Sequence, residues 1–439
     1  MNAQAELANS PLNGLFPQRL EPIASGVNWL NRLRQDAAAR VNVLSIPTSL
    51  DEDWRFTDLS PLLKHSFQPV IGKAILGLTD IGRFILPEAH QRLVFVDGQY
   101  APELSVLTDL APGMVISNLM DALPVHGIAV HAHLARVAQF EHAVFTALNT
   151  SLIHDAALVM LDKGQTHQPP IHLLFIATHK EAPVATTPRC LIIAAPHSQC
   201  SVIEDYVSLD DGIYFTNAVT EIIVGEGAQV RHTKLQRESP NAFHIAHCAV
   251  TLAHDSVYHS TTVSFGARLS RYDLNVVQTG EGTQSTLNGL ALISGRQLAD
   301  THTSMDHAKP HGQSTQLHKC IVDGAAHAVF NGKILVREGA QLTNSSQSSR
   351  NLLLSAKARI DTKPQLEIFA DDVKCAHGAT VGQLDADEIF YLKSRGLSET
   401  AARNLLTYAF AAEIIDQIPV TTLVTHLRQT VLAQTQQTS

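Results

Sequence analysis

At 439 residues and a formal net charge of −9, the chain is long enough for roughly two or three domains of ~150 residues and for a large buried core. Charged residues make up 17% and aromatics 5%, a lean aliphatic composition that leans towards β-rich or repetitive architecture. There is no Lys/Arg run, which argues against nucleic acid as the main partner, because phosphate binding needs a basic footprint. No apolar run approaches the ~18 residues of a membrane span, and Met1–Ser10 lacks the basic start and apolar core of a signal peptide. A cytosolic protein is predicted, or an organellar (plastid stroma) one whose transit peptide has been removed.

Residues 1–150 read as mostly helical with interruptions. Leu20 to Val41 carries Ile23, Val27, Leu30, Leu33 and Ala37 at helical spacing and is closed by Pro47. A polar stretch with aromatic residues, Asp51 to Leu59, follows. Arg92 to Val96 is a strand ending at an Asp97-Gly98 turn, and Leu134 to Leu148 reads as a further helix. From Ser151 to about Gln383 the chain becomes a succession of short apolar runs of strand length, from Ala157–Leu161 to Leu366–Phe369, with no helix of ten residues between them. A polar turn recurs between runs (Gly225-Glu226-Gly227-Ala228, Gly280-Glu281-Gly282-Thr283, Glu338-Gly339-Ala340-Gln341), in several places at ~25–30 residues, the period range of solenoids. Stacked β-helix coils are predicted over residues 151–384, with a large β-sandwich as the competing architecture. The stretch from Asp300 to His318, with His302, His307, His311 and His318 among polar and small residues, reads as loops and hydrogen-bonded coil turns.

Residues 385–439 read as helical. Asp385 and Glu388 form a capping-box pattern, and Gly396 stops that helix. Ser398 caps a second helix with Ala402, Leu405, Leu406, Ala409, Phe410 and Ile414 expected on one face, ended by Pro419. Leu423, Leu427 and Val431 suggest a third, and the polar tail from Gln434 is expected to be disordered.

Much chemistry is absent. There is no P-loop, HExxH, GxSxG, GxGxxG or paired-cysteine zinc motif, so no autonomous enzyme constellation is visible. The five cysteines (Cys190, Cys200, Cys248, Cys320, Cys375) are odd in number and widely spaced, which argues against a disulfide framework and for small buried hydrophobes. Within Val373-Lys374-Cys375-Ala376-His377-Gly378, a strand would project Cys375 and His377 from one face, ~6.5–7 Å apart. Thiolate and imidazole suit iron and iron–sulfur chemistry. They supply only half of a four-ligand shell, so a metal site would need a second chain. The competing reading makes Cys375 buried filler and His377 a surface residue. His302, His307, His311 and His318 form a second candidate, with structural or interface roles favoured over metal binding. Trp54 with Arg55 reads equally as a docking surface or as a packed anchor.

The run PQLEIFADDVKCAHGATVG, Pro364 to Gly382, is highly specific, as is FYLKSRG, Phe390 to Gly396. With Asp53-Trp54-Arg55-Phe56-Thr57, Asp300-Thr301-His302, Asn331-Gly332-Lys333-Ile334 and Asn351-Leu352-Leu353-Leu354-Ser355, they make the chain resemble the SufB/SufD family of iron–sulfur cluster assembly scaffolds over nearly its whole length. The context Cys375-Ala376-His377-Gly378-Ala379-Thr380 is similar to the SufD branch, where SufB has His-Glu-Ala-Thr. The segment Gln341–Leu354 holds Ser345, Ser346, Ser348 and Ser349 but not the sulfur-receiving cysteine of SufB. The resemblance implies a mainly β fold, a right-handed parallel β-helix core flanked by an α-rich N-terminal region and a C-terminal helical domain. It implies a non-catalytic subunit that pairs with a SufB-like paralogue through the core, or with itself when alone. A nascent iron–sulfur cluster would form at that interface, with His377 and, more weakly, Cys375 contributing ligands, and no cofactor is expected on the isolated chain. It implies docking of a SufC-like ABC-type ATPase on about Asp385–Gln417, including Phe390, Tyr391, Leu392, Arg395, Leu405 and Phe410. A cysteine desulfurase and sulfur shuttle would act indirectly, mainly through SufB. The rivals are a pectate-lyase-type solenoid enzyme, a plain interaction scaffold, and SufB itself.

Overall fold

The computed structural model describes residues 15–16, 25–70, 74–178 and 183–437. The proposed signal-free start and Ile23 lie outside them.

The chain forms a parallel β-solenoid of about eight turns, with a helical N-terminal region and C-terminal helices. Two sheets face one another. The first carries β5 (Ala157–Leu161), β8 (Arg189–Ala194), β10 (Tyr214–Val224), β12 (Phe243–Leu252), β14 (Leu269–Gln278), β16 (Leu298–His307), β18 (His327–Val336) and β20 (Arg359–Ile368). The second carries β2 (Gln91–Val96), β6 (Ile171–Ala177), β9 (Gln199–Ser208), β11 (Gln229–Arg237), β13 (Val257–Ser264), β15 (Gln284–Ile293), β17 (Gln313–Val322), β19 (Asn344–Leu353) and β21 (Lys374–Gly382). Short strands β1 (Gln68–Pro69) and β7 (Val184–Thr186) pair at one side, while β3 (Gln99–Tyr100) and β4 (Met114–Asn118) close the N-terminal end. The β2–β3 hairpin turns at Asp97 (φ 51°) and Gly98 (φ 80°), the twist a two-residue hairpin needs.

The register stacks each inward side chain on its equivalent one coil away. Tyr258, Ser285, Ser314, Ser345 and Cys375 form one such column, at steps of 27 to 31 residues. Alternation explains why strands run longer than their apolar runs: inward and outward residues are both buried, and many inward ones are polar. So Asp300–His307, expected as loop, lies in strand β16, and Gln229–Arg237, without an apolar run, is strand β11. Gly289 is required by the stacking, because a Cβ there would lie 2.1 Å from the His318 ring, which stacks on Phe330 at 4.3 Å.

Helices cover the outer faces. α1 (Asn28–Val41), the single turns α2 (Ser60–Leu63) and α3 (Leu78–Ile81), α4 (Leu119–His133) and α5 (Val144–Ser151) belong to the N-terminal region. Leu30, Leu119 and Leu123 pack on Leu158, Leu191 and Ile193 of the first sheet, while Phe145 and Leu148 join Phe215 and Phe243. The helix expected over Leu134–Leu148 divides differently. Leu134 is extended, Ala135 has φ 57°, and the N–H groups of Ala135, Arg136, Val137 and Ala138 all donate to the Glu221 carboxylate at 2.7–3.1 Å. Arg189 pairs with the same buried carboxylate at 2.5 Å. A residue 83 to 86 positions away thus captures the amides a helix would have used, which no local pattern discloses.

At the other end, α6 (Ala386–Ser394), α7 (Glu399–Ile415) and α8 (Thr421–Gln437) follow the solenoid. Asp385 accepts from the N–H groups of Asp387 and Glu388, Ser398 from Ala401, and Gly396 takes φ 98° just past α6. α7 buries Ala402, Thr407, Ala411, Ile414 and Ile415, whereas Leu405 and Ala409 face outward, a rotation from the expected face. The reason is the surface it meets: Ala411, Ile414 and Ile415 pack with Leu290, Leu292 and Ile321 on the outer face of the second sheet. The tail expected to be disordered from Gln434 continues helix α8 to Gln437.

Glu221→Ala leaves Arg189 buried and unpaired and four amides without their acceptor. It is expected to cost about 3–5 kcal/mol in denaturant unfolding, with hydrogen exchange rising first at residues 135–138.

Candidate functional site

Among the described residues, the last coil, β20 and β21, has no strand beyond it. β21 pairs with β19, in a register that sets Cys375 on Ser345 and His377 on Gln347. Ser345 and Gln347 are buried in adjacent interior columns, so Cys375 and His377 share the inward face, exposed by the end of the stack. Cys375 is half-buried and packs against the interior core beside Leu366 and Val373, and His377 is exposed. Burial pushes the Cys375 thiol above its ordinary value, only partly offset by its hydrogen bond to the Ser345 backbone. Among the described residues no group of three or more His, Cys, Asp or Glu converges as a metal cage. The two donors fit iron or an iron–sulfur cluster as part of a shell, not as a complete one.

The other histidine candidates diverge. His302 faces outward, with Nε2 3.0 Å from Asp300. His307 faces inward between Gln278 (2.8 Å) and Ser314 (2.9 Å). His311 sits in an exposed turn at φ 60°, and His318 is the ring stacked on Phe330. Trp54 is a packed anchor: its ring lies 5.7 Å from Phe145 and 4.5 Å beneath the Arg271 guanidinium. Arg271 is held by Asp273 (2.7 Å), Asp300 (2.5 Å) and the Asp53 carbonyl (2.8 Å), and the Thr57 hydroxyl donates to Asp300. The Asp53–Thr57 motif therefore straps the N-terminal region to β14 and β16. Arg55, its neighbour, is exposed.

Sequence reasoning missed two neighbouring sets of buried ionisable groups inside the solenoid. Glu204 accepts from Tyr206 (2.6 Å), Thr220 (2.9 Å) and His232 Nε2 (3.0 Å), and His232 Nδ1 meets Tyr258 (3.2 Å). Lys234 lies 2.9 Å from His244 Nε2, whose Nδ1 is 2.7 Å from Glu238. Because an ammonium only donates, His244 presents a bare Nε2 and an Nδ1–H. Burial raises the Glu204 carboxyl, but the His232 hydrogen bond and charge and the Lys234 ammonium reverse it, and it is held at about 2. Asp300 likewise rests at about 2, burial being outweighed by Arg271 and His302. The available signal was an acid at an inward strand position, Glu204 between Val202 and Tyr206.

The C-terminal candidates split. α6 buries none of its residues, leaving Phe390 73% and Tyr391 55% exposed beside exposed Arg395. Leu392 is half-buried and Leu405 exposed. Phe410 is half-buried against the solenoid, with the Lys319 ammonium 4.2 Å from its ring.

With this geometry in hand, comparison with known proteins decides the family. Residues 175–410 match the family described as SUF system FeS cluster assembly, SufBD core domain, and residues 8–173 match the SufBD protein N-terminal region. The chain belongs to the SufB/SufD family. It is 44% identical to an iron–sulfur cluster assembly SufBD family protein of Synechocystis, over 92% of this chain and 90% of that one. It is 36% identical to the iron–sulfur cluster assembly protein SufD of Escherichia coli, over 85% of each. Identity to the SufB of Bacillus subtilis is 25%, over 76% of this chain and 73% of that one. Among the described residues no helix of this SufBD chain is long and apolar enough to cross a membrane.

Burial lowers His307 to about 4, against a partial rise from Asp306, and lowers His318 to about 3. Below an unfolded value of about 6.5 the unfolded chain takes up protons that these rings refuse, so stability falls as pH drops from about 6.5 towards 4 and 3. Glu204 and Asp300 add loss in the same direction below about 4.5, towards 2. Thermal unfolding between pH 7 and 5 should therefore show falling stability. His318→Gln should flatten that slope by up to about 1.4 kcal/mol per pH unit.

Proposed function

We propose that this chain is a non-catalytic scaffold subunit of a SUF-type assembly complex. Its open coil meets a SufB-like paralogue, and Cys375 and His377 contribute part of the shell in which a nascent cluster, the cargo, is held. The observation that carries this reading is the unfinished coil: two adjacent interior columns that end in a thiol and an imidazole, on an edge with no strand beyond it among the described residues. His377, exposed and unconstrained by a buried partner, is the donor free to meet iron. Cys375, whose thiol burial holds protonated, would join only once the interface and the metal lower its proton affinity. The outward aromatic face of α6, Phe390 and Tyr391 with Arg395, is the docking surface for a SufC-like ATPase, with Leu405 beside it. Phe410 holds the α7 platform to the solenoid. Sulfur enters on the paralogue's side, from a desulfurase and its shuttle.

Co-expression with SufB-like and SufC-like partners under anaerobic conditions tests the site. His377→Ala should leave the complex intact but strip most of its iron and sulfide. Unchanged cluster content would reduce the chain to a plain scaffold, the second reading. Phe390→Asp should weaken ATPase capture by roughly 2 kcal/mol, about thirtyfold, while the paralogue still co-purifies.

A further inference from the structure

The two strands of the open coil do not offer equal edges. In a parallel ladder, alternate residues direct N–H and C=O to opposite neighbours. In β20 the N–H groups of Arg359 and Phe369 donate inward, to Ala326 and Val336. Both are odd-numbered and keep the same offset, so the odd residues of β20 bond β18, and the even ones face the open side. Pro364, opposite Gly332 in the register, is therefore central on the open edge. That parity is why the fold tolerates a proline within a ten-residue strand: its nitrogen owes no bond to β18. In β21, the Lys374 N–H donates to the Thr343 carbonyl, one residue before its register partner Asn344. Even residues there bond β19, and Cys375, His377, Ala379 and Val381 turn N–H and C=O to the open side without a proline among them.

We infer that Pro364 is a specificity-determining residue of the docking end: it denies a continuous ladder on β20 and confines strand pairing with a second chain to β21. This rests on the proposed pairing of open coils. The occupant is a chain ending in an equivalent open coil, the SufB-like paralogue. Two such ends meeting about a two-fold axis run antiparallel, and a break at the centre of one edge restricts them to a single register. Proline on an edge strand also keeps identical ends from pairing along both sheets at once.

The test uses the full-length chain, alone and with the SufB-like paralogue, followed by sedimentation velocity across a concentration series. Pro364→Thr restores an edge N–H and should tighten self-association about tenfold. Ala379→Pro places a proline at the matching parity on β21 and should abolish pairing with the paralogue. Circular dichroism and hydrogen exchange in β18 and β19 confirm that each variant folds. Unaltered self-association of folded Pro364→Thr, with Ala379→Pro still blocking the paralogue, would overturn the role of Pro364 alone. Undiminished pairing of folded Ala379→Pro would overturn both this inference and the docking reading beneath it.

Discussion

The ladder of backbone hydrogen bonds between coils is the constraint on which the rest depends. Each strand from β9 to β19 has neighbours on both edges within the solenoid, so the backbone groups of these long strands are largely paired between coils. The same ladder removes freedom from the side chains, because each must fit directly on its counterparts one coil away. Gly289 beneath His318, and His307 between Gln278 and Ser314, are consequences of that registry. The ladder must also stop, and where it stops the interior column is laid open. Cys375 and His377 reach the surface at the end of a stack whose earlier members are buried.

A polar interior needs internal neutralisation. Glu204 is satisfied by His232, Tyr206 and Thr220, and Lys234, His244 and Glu238 form a second buried set beside it. Outside, Glu221 with Arg189 and Asp300 with Arg271 fix the N-terminal region to the first sheet, one through loop amides and the other through the Trp54 strap. Such buried pairs contribute little net stability against apolar replacements, yet losing one partner is costly. Their value here is positional: each ties a loop with little hydrophobic surface to one place on a repetitive sheet that otherwise offers several similar ones.

Much of this was legible. The strand-length runs favoured a β-solenoid over a β-sandwich, Asp97-Gly98 marked a turn, and Asp385 and Ser398 marked helix starts, because each depends on neighbours in sequence. The motif around Cys375 and His377 carried the family. Three features were not legible, for one shared reason. The broken helix at Leu134–Leu148 answers to Glu221, the polar strand β16 is specified by the coils on either side, and the buried face of α7 is chosen by Leu290, Leu292 and Ile321. Each is decided by a partner far along the chain. Periodicity reports only which residues could be buried together, not which surface will receive them.

The two ends of the solenoid are finished differently, and that difference bears on what the chain can assemble into. At the N-terminal end the parallel order is broken: β3 runs antiparallel to β2, and β4 antiparallel to β5. The edge strands there are short, of two and five residues, and α4 follows β4 directly. At the other end, two strands of ten and nine residues pair with no further strand on their outer side among the described residues. Long parallel edges at both ends would let copies stack head to tail without limit, as heterologous contacts do. With one end blunted, the proposed meeting of like open coils would close after two chains rather than continue as a fibre. Such a pair would set the terminal columns of both chains against each other, which is why the proposed ligand shell would need both ends.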